Sequence, residues 1–167
     1  MFYLAQAIGV IALLIAILSF QKNTQKKIVS MQMISSVFFT VHFYLLGALS
    51  GAVLNFIGIF RAMVFRNKGQ AWASSKIWLV VFCGLFIGVG IWSWAAWYSA
   101  LPILGMLFTT AAFWVENPKI VRVLSACSSP CWLIYNLITR SYPGVLTELF
   151  VLSSILVAAF RYDFKKF

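Results

Sequence analysis

Residues 27–56 read KIVSMQMISSVFFTVHFYLLGALSGAVLNF, and how this stretch is read decides the fold. It holds most of two apolar runs, 28–46 and 49–65, joined through LLGALSG. A join so short makes the two runs antiparallel neighbours. Hydrocarbon offers no partner for backbone N–H and C=O groups, so apolar runs of this kind are predicted to be helices. His42 and Asn55 are then polar side chains embedded in membrane-grade sequence, where each needs a reason to be present.

Composition extends this reading to the whole chain. It is 63% hydrophobic and 10% charged over 167 residues, whereas a soluble domain carries about 25% charged residues. Lipid is therefore its solvent. Polar punctuation bounds seven apolar segments, about 2–20, 28–46, 49–65, 77–97, 99–115, 123–139 and 143–160. Several are short for a hydrocarbon core about 30 Å thick, which suits tight bundles. The first segment lacks a basic leader and a small-residue cleavage site, so it reads as a retained transmembrane helix rather than a secretion signal.

The net charge is +10. The basic residues are short clusters between apolar runs and form no face that could track phosphates, which excludes nucleic acid as a partner. Seven spans place Lys22, Lys26, Lys27, Arg61, Arg66, Lys68, Lys76, Lys119, Arg122, Arg161, Lys165 and Lys166 on one side and only Arg140 on the other. The positive-inside rule then puts the N-terminus outside and the C-terminus in the cytoplasm. The outer loops, LLGALSG and TRSYPG, leave no room for an external domain, so whatever the protein does it does within the bilayer.

Internal duplication is the next expectation. At a shift of 93, residues 28–66 lie over 121–159, pairing Ser35-Ser36 with Ser128-Ser129, Phe39 with Trp132, His42 with Tyr135, Gly51 with Gly144 and Asn55 with Glu148. Gly9 pairs with Gly105 if the second cytoplasmic loop is three residues shorter. The fold class predicted is an all-α membrane protein of seven helices in a 3+1+3 arrangement. A first triple-helix bundle covers 1–68, a linker helix 69–98 and a second bundle 99–167.

The pattern IGVIALLIAILSF followed by residues 27–56 resembles the triple-helix unit of the SWEET, semiSWEET and PQ-loop transporters. That resemblance implies a pocket-lining asparagine on the third helix of each unit and an aromatic about sixteen residues earlier. Asn55 with Phe39 fits in the first unit, and Glu148 with Trp132 falls at the matching places in the second. The segments LAQAIGVIALL, VHFYLLG and LN are also similar to the YgjV family of bacterial inner-membrane proteins, over nearly the whole chain. This resemblance implies fold and location but no substrate. Two departures stand out: the proline–glutamine pair is absent, with Ser19-Phe20-Gln21 and Glu116-Asn117-Pro118 in its place, and Glu148 replaces the second asparagine.

Glu148 is the residue to explain. A carboxylate at the centre of a membrane helix costs about 2.5–3.5 kcal/mol even on insertion scales. It lies about six residues inside its helix, or roughly 9 Å. Asn55, His42 or a substrate cation are its candidate partners, and an Asn55–Glu148 bond between repeats is the structural alternative. Glu148 and His42, the single histidine, are the proton-coupling candidates. The substrate-binding set adds Asn55, Trp132, Tyr135 and Asn136. Cys127 and Cys131 read as small-residue packing interrupted by Pro130, and Trp92, Trp94 and Trp97 as an interfacial belt. No nucleophile–base pair, metal-ligand cluster or phosphate loop is present, so no enzyme activity and no cofactor is expected. The expectation is a carrier of a small polar solute that works by alternating access. The alternative is a non-transporting structural or signalling membrane protein, and a homo-oligomer is left open.

Overall fold

The computed structural model describes residues 1–19, 25–115 and 117–162. Phe20, Gln21, Lys22, Glu116, Lys165 and Lys166, all used in the sequence reading, lie outside the described residues. Among the described residues there are seven α-helices and no strand. They are α1 (Phe2–Ser19), α2 (Gln25–Leu45), α3 (Leu49–Arg66), α4 (Ile77–Trp92), α5 (Ala100–Trp114), α6 (Pro118–Ile138) and α7 (Tyr142–Tyr162), with a 3-10 turn at Trp97–Ser99 ahead of α5.

Three of these, α1, α3 and α7, are long and apolar enough to cross a membrane by length and composition. The others are shorter, or carry polar residues along one side. Helix limits depart from the apolar runs where capping chemistry decides them. α6 begins five residues before its apolar run, because Pro118 suits the first helical turn and the Asn117 side-chain oxygen Oδ1 accepts from the Lys119 amide at 3.0 Å. Lys119 and Arg122 therefore stand on the helix rather than in a loop. α4 stops at Trp92 instead of running to 97. Pro130 does not interrupt α6, which continues through it; membrane helices accommodate proline where neighbours satisfy the freed backbone.

α2 packs between α1 and α3, and α6 packs between α5 and α7. α1 meets α7 and α3 meets α5, so six helices close into a ring. α4 lies against α3 and α5. At one end of the ring the Ser50 hydroxyl donates to the Ser93 carbonyl (2.6 Å) and Gln6 donates to the Arg140 carbonyl (2.8 Å). This end gathers the starts of α1, α3, α5 and α7. At the other end Lys68 donates to the Trp114 carbonyl (2.8 Å). That second end also holds the starts of α2 and α6 with Lys26, Lys27, Lys119 and Arg122, and is called the basic end below.

The α2–α3 turn recurs bond for bond 93 residues later. Gly47 N–H donates to the Tyr44 carbonyl and Ala48 N–H to that of Phe43; Arg140 N–H donates to the Leu137 carbonyl and Ser141 N–H to that of Asn136. Gly47 has φ 73°, and Arg140, its counterpart, φ 55°. Arginine pays for that left-handed conformation where glycine does not. The Ser35 hydroxyl donates to the Ala12 carbonyl (2.8 Å) and the Ser128 hydroxyl to that of Gly105 (3.0 Å). The shift of 93 thus runs on through α1 and α5. It pairs Gly105 with Ala12, not with Gly9, and needs no shortened loop.

Glycine sets the spacing between helices at two places in particular. A Cβ on Gly51 would lie 2.8 Å from the Tyr135 ring, and one on Gly105 would lie 2.5 Å from the Trp132 indole nitrogen. Small residues let membrane helices approach closely and gain dispersion energy where no hydrophobic drive exists. Gly84 on α4 has open space around it. Overpacking of a tight contact costs about 1–3 kcal/mol, so Gly105→Ala is expected to lower the thermal midpoint of the detergent-solubilised protein by several degrees. Gly84→Ala should leave it unchanged, and equal midpoints for the two variants would show that the α5–α6 contact is not tight.

Candidate functional site

The ring encloses a cavity of about 590 Å³ walled by α2, α3, α5, α6 and α7. It extends from Asn55, Asn136 and Gly144 to Val29, Arg122 and Ala158, near the basic end. On α3 the lining residues Asn55, Gly58, Arg61, Ala62 and Phe65 form one stripe, as steps of three and four along a helix require. All eleven lining residues of α2 and α3 have a counterpart 93 residues later that also lines the cavity. Gln32 pairs with Ser125, Ser36 with Ser129, Phe39 with Trp132, Asn55 with Glu148 and Arg61 with Ser154.

Four of the six residues singled out from the sequence meet here: Asn55, Trp132, Asn136 and Glu148. Glu148 is half-buried, with the Ser129 hydroxyl as a hydrogen-bonding neighbour. Asn55 does not reach it. Its amide donates to the Gly51 carbonyl on its own helix at 2.9 Å, so the inter-repeat Asn55–Glu148 bond does not form. Asn136 is buried and its side-chain oxygen has no partner; the same holds for the Gln32 oxygen, also on the lining. Buried polar atoms left so are costly in protein and more so in lipid. They suit water or a polar solute held in the cavity.

His42 and Tyr135 lie beyond the lining, toward the end opposite the basic one. His42 is fully buried, with Nδ1 2.6 Å from the Ala5 carbonyl and Nε2 2.7 Å from the Ser141 hydroxyl. A carbonyl can only accept, so Nδ1 carries the proton and, in the neutral ring, Nε2 accepts from Ser141. Tyr135 accepts from the Gly51 amide at 2.8 Å and donates to the Ala48 carbonyl at 3.4 Å. These contacts are reciprocal: His42 of α2 reaches the start of α7, and Tyr135, 93 residues later, reaches the start of α3. Phe43, stacked on Trp132 with ring centroids 6.1 Å apart, separates this double clasp from the cavity. His42 and Glu148 share no contact.

Arg61 is the functional candidate that sequence reasoning passed over, because it was counted with the basic residues of the cytoplasmic face. It is 6% exposed and lines the cavity. Its Nη1 donates to Thr109 (2.9 Å), Thr110 (2.8 Å) and the Met106 carbonyl (3.3 Å). The guanidinium lies 4.9 Å from the Phe113 ring centroid and 5.3 Å from that of Phe86, within cation–π range. Nε has no partner. Its spacing of three from Gly58, itself three from Asn55, was the signal that could have found it.

A ring of six helices around a cavity, with a seventh packed against it and apolar outer faces, defines a multi-pass membrane protein. Residues 3–166 match the family model Imp-YgjV, described as bacterial inner membrane protein. The chain belongs to this YgjV family and resides in the bacterial inner membrane. It is similar to the inner membrane protein YgjV of Escherichia coli (strain K12), with 26% identity over 147 residues, which is 88% of this chain and 78% of that relative. No solved structure matches it.

Accessibility separates the cavity from the clasp. In a protein whose three native cysteines are replaced by serine, Ser125→Cys is expected to react with a membrane-impermeant maleimide. Ser141→Cys, at a position with no exposure, should stay unreacted until the protein is denatured. Equal labelling of the two would mean that the clasped end is open.

Proposed function

We propose that the protein is a carrier of a small polar solute, not an enzyme, working by alternating access between two triple-helix units. The units are 1–68 and 99–167, and α4 with its flanks, 69–98, is the linker that gives both the same orientation. The observation that carries this reading is the cavity wall, on which every lining position of α2 and α3 is matched 93 residues on. Two like units around a central cavity can rock against each other and expose it to either side in turn.

On this reading all seven helices cross the membrane, with the N-terminus outside and the basic end in the cytoplasm. The structure then corresponds to the inward-facing state, with the clasp of His42 and Tyr135 holding the outer end shut. The likeness to the SWEET and PQ-loop transporters supports the same arrangement, through Asn55 and Phe39 in one unit and Glu148 and Trp132 in the other. The cavity reaches Glu148, which favours a carrier over a non-transporting relative of the same fold. Glu148 is also the group on the path that can gain and lose a proton as a solute passes.

Two experiments test this reading. A green fluorescent protein fused to the C-terminus should fluoresce and an alkaline phosphatase fused there should be inactive; the reverse would invert the orientation. In proteoliposomes, uptake from a panel of sugars, amines, amino acids and vitamins should include at least one saturable solute. Its rate should respond to an imposed pH gradient in the wild type and not in Glu148→Gln. An unchanged gradient response in the variant removes the proton coupling, and no saturable uptake of any solute removes the carrier.

A further inference from the structure

The two walls match in position but not in charge, and the mismatch is informative about what they bind. At one level Asn55 of α3 faces the place of Glu148 on α7; six residues nearer the basic end Arg61 takes the place held by Ser154 on α7. Six residues of helix separate these levels, or about 9 Å. The cavity is therefore polarised, with a carboxylate deeper and the Arg61 guanidinium nearer the basic end, where Arg122 also lines it. Among the described residues neither has an ion-pair partner. Arg61 spends Nη1 on neutral oxygens and leaves Nε without one, and Glu148 has the Ser129 hydroxyl as its neighbour.

Buried charges are normally paired, because neutral hydrogen bonds do not cancel the cost of taking an ion out of water. A cation in the cavity would satisfy Glu148 but face Arg61, an anion the reverse, and a neutral polyol would leave both uncompensated. A solute carrying both charges, set several bonds apart, satisfies both at once. We propose that the cavity binds a zwitterion of the ω-amino acid type, with its ammonium group at Glu148 and its carboxylate at Arg61. This assignment rests on the carrier reading for its biological use, but the binding itself can be tested separately.

The probes are 6-aminohexanoate, hexanoate, hexylamine and glucose, measured by equilibrium binding to the detergent-purified full chain. 6-Aminohexanoate is expected to bind at least tenfold more tightly than any of the other three. Arg61→Gln should reduce its affinity at least tenfold while leaving hexylamine unaffected, and Glu148→Gln should reduce it similarly while leaving hexanoate unaffected. Should either variant fail to fold, competition among the four probes on the unaltered protein decides alone. Equal affinities, or glucose displacing the label best, overturn the assignment. Saturable uptake of a neutral solute without 6-aminohexanoate binding overturns it while sparing the carrier. Charge-dependent binding with no uptake of any solute upholds it and removes the carrier.

Discussion

Every polar group in this protein has to find its partner within the protein or in water that the protein admits, because hydrocarbon supplies none. That constraint organises the rest of the structure. It makes each apolar run a helix, and it turns the polar sides of α2 and α6 inward, away from lipid. The Ser35 and Ser128 hydroxyls return to carbonyls on the preceding helix of each half. His42 and Tyr135 spend their polar atoms on the starts of helices across the ring. Among the described residues four buried side-chain atoms are left without a partner; those of Gln32, Arg61 and Asn136 lie on the wall of the cavity, and that of Gln6 lies on α1 at the clasped end.

The clasp at the far end is firm in geometry and modest in energy. Interhelical hydrogen bonds in membranes average about 0.6 kcal/mol, so the bonds of His42 and Tyr135 to the opposite helices sum to about 2 kcal/mol. Bonds of that total strength are of the size that a ligand with a few kcal/mol of preference for another arrangement would overcome, as the proposed carrier requires. Close packing under Tyr135, allowed by Gly51, makes the contact discrete rather than gradual. Such a contact suits a two-state element better than a static strut.

Symmetry and its breach divide the work between them. The matched turns, matched serine bonds and matched wall positions give the two sides of the cavity a common geometry. Charge is distributed otherwise. Glu148 has no carboxylate counterpart and Arg61 no cationic one, so chemistry at the wall is set by the differences between the halves. A neutral polar pocket with asparagine at both places would be a different site from the polarised one seen here.

Much of this was legible in the sequence. Helix number, the membrane as solvent, the repeat spacing of 93 and the meeting of Asn55, Trp132, Asn136 and Glu148 on one cavity wall follow from hydropathy, spacing and the cost of polar groups in lipid, all properties of residue type and order. Periodicity also held the signal for Arg61, but its charge, one turn inside the end of its apolar run, counts with the basic residues of the cytoplasmic side. Only packing decided otherwise, by placing Thr109, Thr110, Phe86 and Phe113 around it. The withdrawal of His42 and Tyr135 from the cavity was likewise beyond sequence. Their partners lie 99 and 84 residues away along the chain, and rotation of α2 or α6 by the angle of one residue, about 100°, would have faced them inward. Local composition determines that a polar side chain must be satisfied; which distant atom satisfies it is decided when the helices meet.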